Sequence, residues 1–326
     1  MIRRVLVTLA APVVALAAPG PVVDRMARRL ADAPRTLPSE AALRPALEAL
    51  GGEIVRFRAR DGVRLAGRWL PGEDPGDGWR PDPREAVLVL HGYSGSIVAD
   101  LVEYGPFLRR TAGVLGLDFR GHGDSGDGPT TFGYLEIEDV AGALAWLGER
   151  GIRRVALFGS SMGGITALGA TVVLGDGRLV AADSDPAAPA AINEAPRPRI
   201  VALVGDSVTP ELSIVVARRA GVPFGRRLAE RAFARLASTV GGDPRDTQPI
   251  RTVPLLEDLP LLLVHGDADA TLPIRDARRL AAAAPPGTVH LVVQGADHGD
   301  AHATDPTRYE AAVTAHLRSA FEGARS

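Results

Sequence analysis

Short apolar runs alternating with helical patterns constrain this chain more than any other feature. The runs are Ala86–Leu90, Val114–Asp118, Val155–Phe158, Ile200–Val204, Leu261–Val264 and Val289–Val293. Helical periodicity covers Tyr134–Arg150, the segment ending near Leu174, the basic region Arg218–Val240, Ile274–Ala284 and Pro306–Phe321. Runs of four or five residues without polar alternation are buried on both faces, so the expected class is α/β, with a mostly parallel central sheet and helices on both sides. Ahead of them, Ile54–Ala59 and Val63–Leu70 flank Arg60-Asp61-Gly62 and read as a hairpin. Pro34–Leu50 reads as helical and peripheral, and 175–198, rich in Gly, Asp, Ala and Pro, as an extended loop.

Ligands of such sheets sit outside the carboxyl ends of the strands. The loops at those ends carry His91, Asp118, Ser161, Asp269 and His298. Composition narrows the chemistry. The 326 residues contain no Cys, which removes thiolate catalysis, disulfides and Cys-ligated zinc. They contain no Lys either, which removes a Schiff base and the phosphate-binding loop that needs one. A net charge of −2 without a dense basic run gives no nucleic-acid footprint. No metal or cofactor motif is evident, so none is expected.

Gly159-Ser160-Ser161-Met162-Gly163 follows the run Val155–Phe158 and precedes a helical pattern. That is the strand–turn–helix context of a nucleophile elbow, with Ser161 at its apex. A serine hydroxyl needs a base, and the base an orienting carboxylate. His298, in Gly295-Ala296-Asp297-His298-Gly299, follows the last apolar run and is the expected base, with His302 its nearest competitor. Asp269 is the expected acid. Asp267, two residues earlier, and Asp297, beside the base, are the alternatives. The oxyanion of an acyl-transfer reaction needs two N–H donors. Met162, after the nucleophile, supplies one, and Tyr93, in His91-Gly92-Tyr93-Ser94-Gly95, is the expected second.

Taken together, His91-Gly92-Tyr93, Asp118-Phe119-Arg120-Gly121-His122-Gly123-Asp124-Ser125, Gly159-Ser160-Ser161-Met162-Gly163-Gly164, His265-Gly266 with Asp269, and His298-Gly299 resemble the α/β-hydrolase superfamily. The resemblance runs from about Glu53 to Phe321 and is greatest to serine hydrolases of the serine aminopeptidase S33-type and monoacylglycerol-lipase-like group. It implies an α/β-hydrolase fold over 53–322 with a short helical cap at about 208–254. It also implies a serine hydrolase, acting on a small-molecule carboxylic ester through an acyl-serine. His122 is expected to support the site without taking part in chemistry. Amidase or peptidase and thioesterase activity stay open on the same residues, as does a non-catalytic binding protein of this fold.

Before the hydrolase region stand a helical extension, 24–52, and an N-terminal segment, 1–23. Arg3 and Arg4 precede an uncharged stretch, Val5–Val23, which as a helix would be roughly 28 Å long. Two readings fit: a signal peptide cut after Ala15-Leu16-Ala17, or a retained membrane anchor through residues 5–23. Both predict an exported or membrane-associated protein. The alternative is a cytoplasmic protein with an apolar N-terminal helix.

Overall fold

A computed structural model describes residues 20–175, 197–220 and 225–325. Residues 1–19, most of the expected signal or anchor segment, and nearly all of the loop expected at 175–198 lie outside the described residues. Eight strands form one sheet: β1 (Glu53–Arg58), β2 (Arg64–Leu70), β3 (Glu85–Leu90), β4 (Gly113–Asp118), β5 (Arg154–Ser160), β6 (Arg199–Asp206), β7 (Leu261–Gly266) and β8 (Val289–Val293). Their order is β1-β2-β4-β3-β5-β6-β7-β8. β2 pairs antiparallel with β1 and β4, and every other pairing is parallel. The hairpin β1–β2 and the six expected strands are all present, each within two residues of the expected ends.

Alternate residues of the parallel strands feed two cores, as a period of two dictates. Leu88, Leu115, Leu157, Leu203 and Leu263 face one side, under α4 (Glu136–Glu149), α5 (Met162–Gly175) and α8 (Ile274–Ala283). Val87, Val89, Phe158, Val204 and Val264 face the other, under α3 (Ile97–Leu108) and α9 (Pro306–Arg325). The last helix ends at the amino edge of the sheet, where Arg325 Nη2 donates to Glu85 Oε2 at 2.6 Å.

Helix α3 has no counterpart in the sequence analysis. Its Gly105-Pro106 pair reads as a break, yet falls in the last turn. The helix is held at its other end from outside: Ser96 Oγ accepts from Val98 N, and buried Asp118 accepts from Ile97 N at 2.9 Å. The expectation that Pro34–Leu50 is helical and peripheral holds from Glu40 on, where most residues are exposed and only Glu40 and Leu47 are buried. The helix is α2 (Glu40–Leu50), and Glu40, 2% exposed, accepts from both the backbone N–H and the hydroxyl of Ser96. A carboxylate that caps the next helix from a distance leaves no periodic trace.

A further helix, α1 (Gly20–Ala31), includes Val22 and Val23, the end of the uncharged stretch. It lies along α7 (Gly225–Val240), tied by Asp24 Oδ1, which accepts from Arg235 Nε at 2.7 Å. Of the basic helical region expected at Arg218–Val240, α7 forms the larger part, and α6 (Leu212–Ala220) reaches into its start. Among the described residues, no helix is long and apolar enough to cross a membrane.

The turn after β4 rests on a buried ion pair. Arg120 donates to Asp139 Oδ1 from Nε (3.0 Å) and Nη2 (2.7 Å), and to Asp61 from Nη1 and Nη2. Burial pushes the Asp139 carboxyl up to about 7, against the pull of the Arg120 charge. Arg120→Leu strands this carboxylate, and is expected to cost about 3–5 kcal/mol of stability by urea unfolding. A loss below 1 kcal/mol contradicts that role.

Candidate active site

From β3 the chain steps to β4 on one side, then returns past β3 to β5 on the other. The order of strands reverses at this point, which opens a crevice at the carboxyl ends of β3 and β5. Ser161 follows β5 there, at φ +50°, in a left-handed conformation that a non-glycine residue rarely adopts. The turn is tight enough to exclude side chains on either side. A methyl group at Gly159 would meet the backbone of Gly163, and one at Gly163 the carbonyl of Leu90.

The structure brings Ser161, His298 and Asp269 together. His298, in the loop after β8, lies between the other two. Asp269, in the loop after β7, is buried and ionised carboxylates only accept, so Nδ1 of the imidazole carries the proton it donates to Asp269 Oδ2 at 2.7 Å. Nε2 is then an acceptor for the Ser161 hydroxyl at 3.1 Å. Asp269 Oδ1 accepts from Leu272 N at 2.6 Å, so both oxygens are used.

The other carboxylates of these loops do different work. Asp267 accepts from Gly295 N at 2.7 Å, and Asp297 from Ala270 N and His298 N at 2.9 and 2.7 Å. Those two backbone donors hold the Asp297 carboxyl below the usual range. Together, Asp267 and Asp297 cross-link the acid loop to the histidine loop. His302 is drawn elsewhere, between Glu103 at 3.1 Å and Glu310 at 3.0 Å. His91 is fully buried, and burial, then the nearby His122, pushes it down to about 3. It is therefore neutral: Nδ1–H donates to Gly92 O, and Nε2 accepts from Phe119 N.

Three residues absent from the sequence analysis join the site from below. Asp206 ends β6, and its carbonyl accepts from Ser161 N at 2.8 Å. Its buried carboxylate accepts from Ser207 Oγ at 2.8 Å and Tyr309 OH at 2.8 Å. Ser207, at φ +54°, accepts in turn from Gly299 N at 3.1 Å. The backbones of the serine turn and of the histidine loop thus hang on one pair of residues. The signal was in plain view: Asp206-Ser207 follows an apolar strand at the carboxyl edge. Ser207→Ala removes the acceptor for Gly299 N, and small displacements of reacting groups are costly. It is expected to lower kcat for any reaction at Ser161 about tenfold with little change in KM. Ser207→Gly, which relieves the backbone but also lacks the hydroxyl, should fall equally. Activity restored by Gly would show that strain, not the hydrogen bond, is at issue.

Above Ser161 opens a cavity of about 380 Å³. That is within the roughly 300–1,000 Å³ of small-molecule sites. Met162 and Ile165 form its floor and Leu212, Val215 and Val216 of α6 one wall. Tyr93 and Phe132, stacked at 5.0 Å, form a second, and α1 closes a third with Val22, Met26 and Leu30. The Tyr93 hydroxyl donates to Arg29 O at 3.0 Å and ties that wall to α1. Met162 is the first residue of α5, where a backbone N–H has no acceptor within the helix. Among the described residues, no three His, Asp or Glu side chains are grouped to hold a metal ion.

Comparison with known proteins places this geometry in context. A model of the alpha/beta hydrolase family matches residues 86–312. The protein YfhR of Salmonella typhi is 27% identical over 255 residues, 76% of this chain and 75% of YfhR. Rv2307c of Mycobacterium tuberculosis is 26% identical over 276 residues, 82% of this chain and 78% of its own. Among solved structures, the Pyrococcus furiosus esterase Pf2001 aligns with a TM-score of 0.58 at 24% identity, covering 83% of this chain and 94% of the esterase. A thermophilic esterase from Thermogutta terrifontis aligns with a TM-score of 0.54 at 18% identity, over 82% of this chain and 99% of that one.

Proposed function

The chain belongs to the alpha/beta hydrolase family, and from that premise we propose that it hydrolyses carboxylic esters through an acyl-serine intermediate. One observation carries the proposal: the hydrogen-bonded chain Ser161–His298–Asp269 at the floor of an apolar cavity. The ester carbonyl enters beside Ser161 with its apolar part in the cavity. Ser161 Oγ attacks the carbonyl carbon while its proton passes to His298 Nε2. Asp269 stabilises the imidazolium and fixes the tautomer. Negative charge gathers on the carbonyl oxygen, where the N–H groups of Met162 and Tyr93 bind it. Collapse breaks the ester C–O bond, and the departing alkoxide takes the proton from His298 as an alcohol. Water then attacks the acyl-serine, gives a proton to His298, and releases the acid and the free serine.

Esters are the favoured substrates because the cavity walls are mostly apolar and because structures sharing this fold include esterases. A fluorophosphonate probe tests the mechanism. It should phosphonylate the parent at Ser161, identified by peptide mass, and leave Ser161→Ala unlabelled. A folded parent that takes no label rules out an activated serine and leaves a binding protein.

We further propose that the segment before Gly20 directs export or anchors the protein, on the strength of its two arginines and uncharged run. Full-length protein should then fractionate with membranes or exported material in its native host, and exclusively cytosolic protein would refute this. Deletion of residues 1–19 should leave folding and activity near the parent level. Deletion of residues 1–33 removes α1 and one cavity wall, and KM for octanoyl esters is expected to rise about tenfold, since each buried methylene contributes roughly 0.8 kcal/mol.

A further inference from the structure

The cavity holds two charges that ester hydrolysis does not use. Among the described residues, Arg25 and Arg29 are the only charged ones lining it. They lie one helical turn apart on α1 and so share a face. Both are exposed at the cavity mouth. Neither guanidinium has a hydrogen-bond or ion-pair partner among the described residues, and the adjacent Asp24 is taken by Arg235. The walls around them are Val22, Met26 and Leu30 on the same helix, with α6 opposite. Two guanidinium groups at this spacing, next to apolar surface, suit a carboxylate or phosphate, whose oxygens accept charge-assisted hydrogen bonds from planar forks.

We propose that the substrate carries an anionic group, carboxylate or phosphate, on the same molecule as the apolar chain that fills the cavity, and that Arg25 and Arg29 bind that group. That the bound molecule is an ester rests on the reading above; that the cavity binds an amphiphilic anion does not. The N-terminal helix then selects for the anionic group, while the loops behind β5, β7 and β8 carry the chemistry.

The test is equilibrium binding, by calorimetry, to full-length Ser161→Ala at submicellar concentrations. The probes are octyl phosphate, octanoate and 1-octanol. At least one anion should bind about tenfold or more tighter than the alcohol, since hydrogen bonds to charged groups are individually strong. The preferred anion identifies the group. Added salt should weaken the preference. Arg25→Gln with Arg29→Gln should collapse it to within about threefold, and the corresponding Lys pair should retain part of it, because charge survives without the fork. Arg28→Gln, on the same helix but outside the cavity lining, should retain it, which separates local binding from general charge. Equal affinity for all three probes overturns the proposal, as does a preference that survives the double Gln variant. Binding to phosphatidylglycerol vesicles that Arg28→Gln weakens as much as the double variant, without preference among the octyl probes, would also overturn it and assign the arginines to a lipid surface. Labelling by the fluorophosphonate decides the hydrolase reading separately.

Discussion

Ser161→Ala is expected to lower kcat for 4-nitrophenyl butyrate by about 10⁴- to 10⁶-fold, the loss seen when serine hydrolases lose their nucleophile. Among the described residues, no other hydroxyl is hydrogen-bonded to His298. Ser160, one residue back, belongs to the end of β5, where its neighbour across the ladder is Asp206. Ser160→Ala should therefore retain a substantial fraction of activity. The fold should tolerate Ala at 161. The backbone bond from residue 161 to Asp206 O needs no side chain, and Ala bears the positive φ no worse than Ser. Thermal unfolding of the two proteins should nearly coincide, so that a lost rate cannot be ascribed to lost structure. Equal turnover in Ser161→Ala and the parent would end the mechanism.

Asp269→Asn should rank second, with kcat lower by about 10⁴-fold. The reason lies in the two bonds the carboxylate accepts, from Leu272 N and His298 Nδ1. An amide has one acceptor oxygen. If that oxygen stays with Leu272, the NH₂ faces His298 and forces the proton onto Nε2, which then cannot accept from Ser161. If it turns to His298, the NH₂ confronts Leu272 N–H, and a buried donor loses its partner at a cost of about 1–3 kcal/mol. Asp267→Asn keeps an oxygen for Gly295 N and should change kcat by less than threefold, within the small effects expected away from the reacting atoms. Were Asp267→Asn the more damaging of the two, the acid would have to be reassigned.

Legibility in the sequence followed the range of the interactions. Strands buried on both faces must be apolar throughout, so β3 to β7 could be read as unbroken apolar runs, and β8, half-exposed at the sheet edge, from its valines and leucine. The glycines around Ser161 were readable because a tight turn constrains its immediate neighbours. The proximity of Ser161, His298 and Asp269 was inferable because parallel strands deliver their loops to one edge. What escaped depends on contacts between distant segments. Glu40 binds Ser96, Asp206 binds Tyr309, and α1 reaches the cavity through α7. A peripheral-looking extension became a cavity wall because its stripe of Val22, Met26 and Leu30 found a partner some two hundred residues away. Only Asp206-Ser207 could have been found, since it obeys the same strand-end rule that identified the rest.

The shared mount of Asp206 and Ser207 has a bearing on protein engineering. Both residues precede Val208, where the stretch leading into α6 and α7 departs from the sheet, and that stretch rejoins it at β7. The bonds from Ser161 N to Asp206, from Tyr309 to Asp206 and from Gly299 to Ser207 all lie outside it. A foreign insert spliced between Ser207 and Leu261 would replace the wall formed by α6 while leaving these bonds intact. Turnover and selectivity should then be heritable separately, so that chimeras with one catalytic body and many exchanged inserts differ in which substrates they accept more than in how fast they turn over the best of them.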